Sequence, residues 1–342
     1  MRSGLARSCA VILLVGSARA QPPAVHHVIV DTDFALPPQD DGLALALALG
    51  SPEIDIVGVT TVAGNFNVAR ANADALRMLE IAGRDTIGVY AGAGRPLAHQ
   101  KDAYATSHYG KWWSDDPAPT PPGGFAKKAL ERESAVDFMA RTVAARPGEV
   151  EIIAIGPLTN VANAIRQHPG FAKAVKRMTI MGGAIASLAD GAGNATPNAE
   201  FNIWVDPEAA RVVFRSGIPI ELSPLNVSRK TVFDRASFDR LAQSGSPLAR
   251  LIAAQMGPRF GRDTTYHPHM YDEVAVASLI DPTLVKTKRL IVDVDDSHGI
   301  NYGVTVGGTE AWPGAEGVPA ASVQYDIDNA RFMQLFVSRI GQ

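Results

Sequence analysis

The chain has 342 residues, of which 46% are apolar, 20% charged and 7% aromatic, with 31 glycines and 23 prolines. This composition is that of an ordinary globular protein, and it excludes the disordered, collagen-like and disulfide-rich classes. The 32 basic and 35 acidic residues give a formal net charge of -3. No excess of positive charge is therefore present for binding nucleic acid or an anionic membrane surface.

The first twenty residues have the layout of a secretory signal peptide. Arg2 and Arg7 precede the apolar run Cys9–Gly16, and the small residues of Ala18-Arg19-Ala20 follow it. The apolar run is much shorter than the roughly 20 residues that span a bilayer. We therefore expect residues 1–20 to be removed and the protein to be exported, either to the periplasm or as a secreted protein. The only cysteine would be lost with that segment, which excludes disulfides from the mature chain.

Short apolar runs then alternate with helical patterns along most of the chain. The predicted strands in this part are His27–Val30, Ile54–Thr61, Ile87–Ala91, Glu151–Ile155, Met178–Met181 and Ile218–Leu222. The predicted helices between them are Gly42–Leu49, Val68–Ala82, Ser134–Ala145, Thr159–Arg166 and Pro207–Ser216. Three further strands are predicted at Leu290–Val294, Gly303–Val306 and Ala321–Tyr325, and an amphipathic helix at Asn329–Ile340.

This alternation predicts an α/β fold with an open, mostly parallel sheet. Continuous valine and isoleucine runs are typical of a Rossmann-like core flanked by helices on both faces, here with additional C-terminal strands. Because no repeat or shift in composition divides the chain, we expect residues 21–342 to form a single domain. The irregular stretches 93–130 and 257–271 are predicted as surface loops, either solvated or acting as a lid over a substrate.

Four carboxylates lie near the predicted end of the first strand. Asp31 and Asp33 end that strand, and Asp40 and Asp41 begin the following helix. A single aspartate in such a position is usually a helix cap. Four aspartates within eleven residues repel one another and require a cation, and oxygen ligands in this number suit Ca²⁺ or Mg²⁺.

This aspartate cluster resembles that of the nucleoside hydrolase family of the inosine-uridine type. Further segments that resemble the family follow in chain order: Thr60–Asn65, Ile155–Asn160, Met181–Gly183, Gly193–Thr196, Ala199–Ile203, Asp206–Ala210 and Tyr271–Ala277. The resemblance implies an enzyme that hydrolyses the N-ribosidic bond of ribonucleosides to free base and ribose.

The resemblance also implies roles for individual residues. One Ca²⁺ would be held by the carboxylates of Asp33, Asp41 and Asp272 and by the backbone carbonyl of Ile155, and Asp33 would act as the general base toward water. Contacts to the ribose hydroxyls are implied for Asp40, Asn65, Asn194, Glu200 and Asn202. Amides and carboxylates suit a polyol because each hydroxyl both donates and accepts hydrogen bonds.

Two features depart from the family pattern. Six residues, Phe34–Gln39, separate Asp33 from Asp40, where the family usually has three. Tyr271 precedes the late aspartate, where members that accept pyrimidines carry a histidine, and an aromatic residue there favours purine ribonucleosides. The candidates for contacts to the base or for its protonation are Tyr271, Trp112, Tyr109, His108 and His267.

Two other interpretations stay open at this point. A Mg²⁺-dependent phosphatase of the haloacid-dehalogenase type also has an Asp-x-Asp strand end, although no matching lysine and second acidic pair are found. An exported protein that binds ribose or nucleosides without catalysis is the second. As partners we expect a nucleoside, no nucleic acid and no membrane, and the resemblance implies a homodimer or homotetramer.

Overall fold

The protein is described here by a computed structural model that covers residues 25–101, 103–109 and 113–342. The predicted signal segment and Trp112 lie outside the described residues. The strands are β1 (His26–Thr32), β2 (Ile54–Thr61), β3 (Val89–Ala91), β4 (Val150–Ala154), β5 (Met178–Met181), β6 (Ile220–Ser223), β7 (Val285–Val294), β8 (Thr305–Gly308) and β9 (Ala320–Ile327).

The helices surround these strands. In chain order they are α1 (Asp40–Leu49), α2 (Val68–Ile81), α3 (Ala103–Tyr109), α4 (Ala135–Ala145), α5 (Thr159–Gln167), α6 (Phe171–Ala174), α7 (Phe201–Val205), α8 (Pro207–Phe214), α9 (Leu225–Ser228), α10 (Arg235–Gln243), α11 (Pro247–Arg262), α12 (Asp272–Ile280) and α13 (Asn329–Ile340). A short 3-10 helix, Pro282–Leu284, lies between α12 and β7. Over the described ranges, no helix combines the length and the apolar character that crossing a membrane requires.

The strands form one sheet in the order β3-β2-β1-β4-β5-β6-β9-β7-β8. Neighbours from β3 through β9 are parallel, whereas β7 pairs antiparallel with both β9 and β8. The prediction of a mostly parallel sheet with additional C-terminal strands is therefore confirmed. It succeeded because strands buried on both faces read as continuous apolar runs.

Apolar side chains of the sheet pack into two clusters on its opposite faces. Val28 and Val30 of β1 belong to the cluster that α1, α11, α12 and α13 cover, while Ile29 belongs to the cluster that α4, α5 and α8 cover. Successive residues of a strand point to opposite faces, which explains this division. Burial on both faces fixes β1 at the centre of the fold.

Two of the predicted loops contain regular structure. The stretch 93–130 includes α3, and α11 continues through Pro258 into the stretch 257–271. The glycines and prolines of α11 obscure its pattern, but Leu248, Ile252 and Met256 are buried at a spacing of four residues. Burial of this stripe against α10 and the core stabilises a helix that the local sequence does not indicate.

Candidate active site

The candidate site lies at the carboxyl edge of the parallel strands. Asp33 follows the end of β1, and Ile155 follows the end of β4. Asp40 begins α1 and Asp272 begins α12, so both carboxylates occupy first turns, where the helix dipole favours negative charge. The parallel pairing of β1, β2, β4 and β5 places these strand ends on one edge, where open α/β sheets bind their ligands.

A pocket of about 390 Å³ opens at this edge. The predicted site residues that line it are Asp40, Asn65, His108, Ile155, Asn194, Glu200, Asn202, Tyr271 and Asp272. Three lining residues were not predicted, namely Gln39, Met181 and Phe201. Gln39 and Phe201 are sequence neighbours of the predicted ribose ligands Asp40, Glu200 and Asn202. A single glutamine or phenylalanine, however, does not indicate a binding site from sequence.

A cluster of buried carboxylates, here called the floor, adjoins the pocket. Asp272 lines the pocket, whereas Asp33 and Asp41 are not among its described lining residues. Asp33 and Asp41 are 0% exposed and Asp272 is 2% exposed. One oxygen each of Asp40, Asp41 and Asp272 lies within 4.8 Å of the others. Asp33 Oδ1 is buried and has no hydrogen-bond partner in the part of the chain that the structure describes. An acceptor-only cluster with an unpartnered oxygen fits a hard divalent cation.

Burial and mutual repulsion raise the pKa values of these carboxyl groups. The pKa of Asp33 is raised to about 7, and burial is the largest cause. The hydrogen bond from the Asn65 backbone N–H lowers this pKa, and the charge of Asp40 raises it. The pKa of Asp41 and that of Asp272 are raised well above the ordinary value by burial and then by the neighbouring aspartates. A bound cation would favour the ionised forms instead.

Short-range hydrogen bonds fix the orientation of the floor carboxylates. The Asn65 backbone N–H donates to Asp33 Oδ2 at 2.5 Å, and the Asn65 side chain donates to Asp41 Oδ2 at 2.8 Å. The Thr32 hydroxyl donates to the other oxygen of Asp41. A Cβ added to Gly64 would lie 2.0 Å from Asp33 Oδ2, so only glycine allows this close approach. Asn65, predicted as a ribose ligand, therefore also holds two carboxylates in place.

Asp31 does not join the floor of the pocket. Its Oδ1 accepts hydrogen bonds from Asn160 Nδ2 at 2.8 Å and from the Thr60 hydroxyl at 2.7 Å. Burial raises the pKa of Asp31 to about 6, against these two hydrogen bonds. The strand-end cluster thus divides into Asp31, which ties β1 to β2 and α5, and Asp33, Asp40 and Asp41, of which Asp40 lines the pocket.

The segment before and within α7 supplies the opposite wall. Glu200 accepts hydrogen bonds from the backbone N–H groups of Gly183, Asn202 and Ile203 at 2.8–3.0 Å, which caps α7. Asn194 Oδ1 accepts one from the Phe201 N–H at 2.8 Å. These bonds fix the backbone, and the side chains of Asn194, Glu200 and Asn202 line the pocket.

The amide of Asn202 connects this wall to the carbonyl that was predicted as a metal ligand. Its Nδ2 donates to the Ile155 oxygen at 3.2 Å. A carbonyl oxygen has two lone pairs, so this hydrogen bond leaves one of them for a second partner. Ile155 therefore keeps the capacity to bind a cation while Asn202 orients its peptide group.

The residues predicted to contact the base are distributed unevenly. Tyr271 is partly buried at the pocket, and burial raises the pKa of its hydroxyl. His108 lines the pocket and stacks on Tyr104 with ring centroids 4.1 Å apart. His267 is exposed and does not line the pocket, and Tyr109 is the last residue of α3. No lysine or arginine is among the described lining residues.

Comparisons with known proteins show which family the chain belongs to. The family model of the inosine-uridine preferring nucleoside hydrolases matches residues 28–334. The pyrimidine-specific ribonucleoside hydrolase RihA of Citrobacter koseri is 35% identical over 318 residues, which is 92% of this chain and 97% of that enzyme.

Solved structures of nucleoside hydrolases share the fold. A plant nucleoside hydrolase, PpNRh1, superposes with a TM-score of 0.75 at 29% identity, over 93% of this chain and 99% of that one. A purine-preferring ribonucleoside hydrolase from Gardnerella vaginalis has a TM-score of 0.75 at 27% identity, over 92% and 98% of the two chains.

The RihA relatives overturn the prediction of export. The match takes up 97% of the Citrobacter enzyme, which leaves about 3% of its length for any further segment. A secretory signal of roughly 15–30 residues does not fit into that remainder of the Citrobacter enzyme, so this relative gives no support to an exported protein. The prediction of a periplasmic or secreted protein is therefore wrong. It rested on an apolar segment flanked by arginines, a local pattern that carries no information on the rest of the chain.

The family match, the relatives and the floor of aspartates lead to one identification. The matched region contains the sheet edge, the pocket and the aspartates that adjoin it. This chain belongs to the inosine-uridine preferring nucleoside hydrolase family and is a ribonucleoside N-glycosidase.

Proposed function

We propose that this enzyme uses Ca²⁺ to hydrolyse the N-ribosidic bond of ribonucleosides, with purine ribonucleosides favoured. One observation carries the proposal. Oxygens of Asp40, Asp41 and Asp272 lie within 4.8 Å of one another beside a pocket of about 390 Å³. Asp33 Oδ1 is also buried and has no hydrogen-bond partner among the described residues. Such a set of oxygens suits Ca²⁺, which takes roughly 6 to 8 oxygen ligands.

The residues proposed to hold the cation are the set that the resemblance implies, Asp33, Asp41, Asp272 and the carbonyl of Ile155. Asp40, whose oxygen lies within 4.8 Å of those of Asp41 and Asp272, also lines the pocket and is assigned to the sugar. A bound Ca²⁺ would supply positive charge that offsets the repulsion between these carboxylates, and it would favour deprotonation of water and hold a vicinal diol. Removal of the cation would leave several buried carboxylates without a counter-charge. The folded state is then destabilised unless these carboxylates bind protons.

Asp33 is proposed as the general base. Its Oδ2 is held by the Asn65 N–H and its Oδ1 has no partner among the described residues, so one oxygen is fixed while the other is available to accept a proton from water. With a cation bound beside it the carboxylate would stay ionised, which is the form that accepts a proton.

Asp40, Asn194, Glu200 and Asn202 are proposed to bind the ribose. Each lines the pocket, and their carboxylates and amides match hydroxyls that donate and accept. Glu200 already accepts three backbone hydrogen bonds, but a carboxylate offers about four acceptor sites, so one remains for a sugar hydroxyl. Negative charge above the ring also stabilises the positive charge that develops as the N-ribosidic bond breaks.

The preference for purines rests on the aromatic residues at the pocket. Tyr271 and Phe201 both line it, and stacking on an aromatic ring stabilises a bound base by about 1–3 kcal/mol. A purine presents a larger ring surface than a pyrimidine. The named relatives include a pyrimidine-specific and a purine-preferring enzyme, so the preference is a proposal for this chain alone.

A substrate panel with controlled metal tests the proposal. Protein treated with EGTA is assayed for release of base from adenosine, inosine, guanosine, uridine and cytidine, with and without added Ca²⁺ or Mg²⁺. We expect release that depends on Ca²⁺ and is fastest for the purines. Faster release from uridine or cytidine would contradict the purine preference and leave the hydrolase intact.

Two further outcomes of this experiment separate the alternatives. Nucleoside binding without release of base would support a binding protein and contradict the catalytic proposal. Deoxynucleosides test the contact of the diol, because loss of a hydroxyl that the site binds leaves buried polar groups unpaired. The oligomeric state stays a prediction, a homodimer or homotetramer, which sedimentation can measure.

A further inference from the structure

The loop that connects β1 to α1 is firmly packed. Phe34 and Ala35 are fully buried, and the Leu36 N–H points at Asp74 Oδ2, 3.5 Å away. A Cβ added to Gly42 would lie 2.5 Å from Pro37 Cδ, so the loop rests directly on the first turn of α1. The backbone of residues 34–39 is therefore fixed by packing.

Gln39, the last residue of this loop, faces the pocket with its side chain unengaged. Its N–H donates to the Leu36 oxygen and its carbonyl accepts from the Leu43 N–H, both at 3.3 Å. The Gln39 side chain lines the pocket, does not cap α1 and makes no hydrogen bond to the residues the structure describes. A primary amide is thus presented to the ligand on a fixed backbone.

The position of Gln39 along the wall indicates which part of a nucleoside it meets. Exposure increases from buried Asp41, through partly exposed Asp40 and Gln39, to exposed Pro38. Pro38 does not line the pocket and Pro37 is buried again, so of these residues Gln39 and Asp40 are the ones that face the ligand. With ribose bound by Asp40 and its neighbours, as proposed above, Gln39 is the adjacent side chain on the pocket wall. Tyr271, the proposed base contact, lines the same pocket and is also partly buried.

We propose that the Gln39 amide binds the polar edge of the purine, donating from Nε2 to N7 and accepting at Oε1 from the 6-amino group, and thereby favours adenosine. This inference rests on the proposed function and names its substrate more closely. A glutamine amide pairs with the N6 and N7 atoms of adenine through two hydrogen bonds. Hypoxanthine and guanine present oxygen at position 6, which repels Oε1.

The hydrogen bond to N7 also bears on the reaction. When the bond between the sugar and N9 breaks, its electron pair stays on the base, water adds its oxygen to the sugar carbon, and the base takes up a proton. A donor at N7 stabilises the negative charge that develops on the purine ring. Gln39 touches the base and is therefore a specificity-determining residue that also assists departure of the leaving group.

The test compares adenosine with inosine in Gln39→Leu, which keeps the approximate size of the side chain and removes both hydrogen bonds. We expect kcat/KM for adenosine to fall roughly tenfold or more, with a smaller change for inosine, so that the adenosine-to-inosine ratio falls. The inhibition constant of free ribose, which has no base, should stay unchanged. Gln167→Leu, at an exposed helix end away from the pocket, serves as the matched control.

Three outcomes would overturn the inference. An unchanged adenosine-to-inosine ratio in Gln39→Leu would remove the contact to the base edge. Weaker inhibition by ribose would place the amide on the sugar. If the wild-type protein with Ca²⁺ releases base from no nucleoside, the proposed function fails and this inference fails with it. If base is released but Gln39→Leu leaves the adenosine-to-inosine ratio unchanged, this inference alone is overturned. Thermal melting of Gln39→Leu confirms that the variant is folded.

Discussion

At the scale of single residues, Asp33 combines three properties that are unfavourable for a protein to hold together. It is fully buried, one of its oxygens has no partner among the described residues, and other carboxylates lie beside it. A buried charge without a counter-charge destabilises the folded state. Such a group persists because a ligand or a reaction uses it, which is why Asp33 is the residue on which activity should depend most.

Asp33→Ala should abolish most of the activity without unfolding the protein. We expect kcat/KM to fall by roughly a thousandfold or more, because the variant loses both the general base and a cation ligand. The melting temperature of the metal-free protein should not decrease, since a buried carboxylate is removed. Asp85→Ala, at an exposed position, is the control. Near wild-type turnover in Asp33→Ala would contradict both roles.

Tyr271 allows stacking to be tested separately from hydrogen bonding. Tyr271→Ala should raise KM for purine nucleosides about tenfold to a hundredfold, because stacking contributes about 1–3 kcal/mol per base. Tyr271→Phe keeps the ring and should retain most of the affinity. Competition by ribose should be the same in both variants and the wild type. An equal loss for ribose and nucleosides would show that Tyr271 supports the sugar site.

The floor of the site is easier to predict from the amino-acid sequence than its walls are. Asp33, Asp40 and Asp41 stand close together in the chain, and their mutual repulsion by itself indicates a cation site. Gln39 and Phe201 carry no such signal, because an isolated amide or aromatic ring is common on any surface. Their placement depends on packing of the β1–α1 loop and on the cap of α7, which involve distant residues.

At the scale of secondary-structure elements, the loop between β1 and α1 depends on one glycine. Alanine is normally preferred over glycine in a helix by about 1 kcal/mol. At Gly42, however, an added Cβ would lie 2.5 Å from Pro37 Cδ and 2.8 Å from the Ala35 oxygen. The helix and the loop cannot both keep their positions if this methyl group is present.

Gly42→Ala should therefore lower both the melting temperature and kcat/KM, because it displaces the loop that presents Gln39 and Asp40. Gly261→Ala is the matched control, since Gly261 is also in a helix and its added Cβ meets nothing within 4 Å. We expect that control to be neutral or slightly stabilising. Equal melting temperatures and activities for the two variants would contradict the close packing of the loop.

Glu151 anchors the opposite, amino-terminal edge of the sheet. It is buried in β4 and accepts hydrogen bonds from Lys176 at 2.7 Å and Arg177 at 2.6 Å, and it pairs with His26 at 2.9 Å. Burial alone would raise the pKa of this carboxyl, but the hydrogen bonds to these three side chains and the charge of Arg177 lower it to about 2. A lowered pKa in the folded state stabilises the fold above the ordinary pKa of glutamate.

Glu151→Gln should destabilise the protein at pH 7 by about 2 kcal/mol, a value reduced for the partial exposure of the basic partners. The difference in unfolding free energy between the variant and the wild type should shrink as pH falls from about 4.5 toward 2, because the wild-type carboxylate then takes up a proton. Urea unfolding across this range measures it, with exposed Glu149→Gln as control. A difference that is independent of pH would contradict the charge interaction.

The elements themselves were predicted unevenly, for a physical reason. Ile54–Thr61 and Met178–Met181 match β2 and β5 residue for residue, because central strands are buried on both faces and read as apolar runs. By contrast, α3 lies in a stretch rich in glycine and proline, and α11 contains an internal proline. Such helices form through tertiary packing, which a local pattern does not contain.

At the scale of the whole molecule, stability should be linked to metal and to protons together. The floor aspartates have raised pKa values, so the metal-free folded protein binds protons that the unfolded chain releases. Their contribution is present at low pH and is lost as pH rises through about 7, the pKa of Asp33. A cation replaces those protons.

The melting temperature in EGTA should therefore fall between pH 6 and pH 8. Added Ca²⁺ should raise it, and the increase should be larger at pH 8 than at pH 6. Scanning fluorimetry at the two pH values, with EGTA or CaCl₂, measures both effects, and NaCl at equal ionic strength controls for screening. A larger stabilisation by Ca²⁺ at pH 6 would contradict the competition between protons and the cation.

The insertion of β9 between β6 and β7 has a consequence for synthesis of the chain. β9 pairs with β6 on one side and with β7 on the other, although it is the last strand to be translated. A nascent chain that ends before residue 320 leaves the β6 edge open, and open edges promote association with other chains. All the aspartates of the site are translated earlier, yet the sheet that carries them closes only when the last strand arrives. A late stop codon should therefore give an aggregating product although every site residue is present.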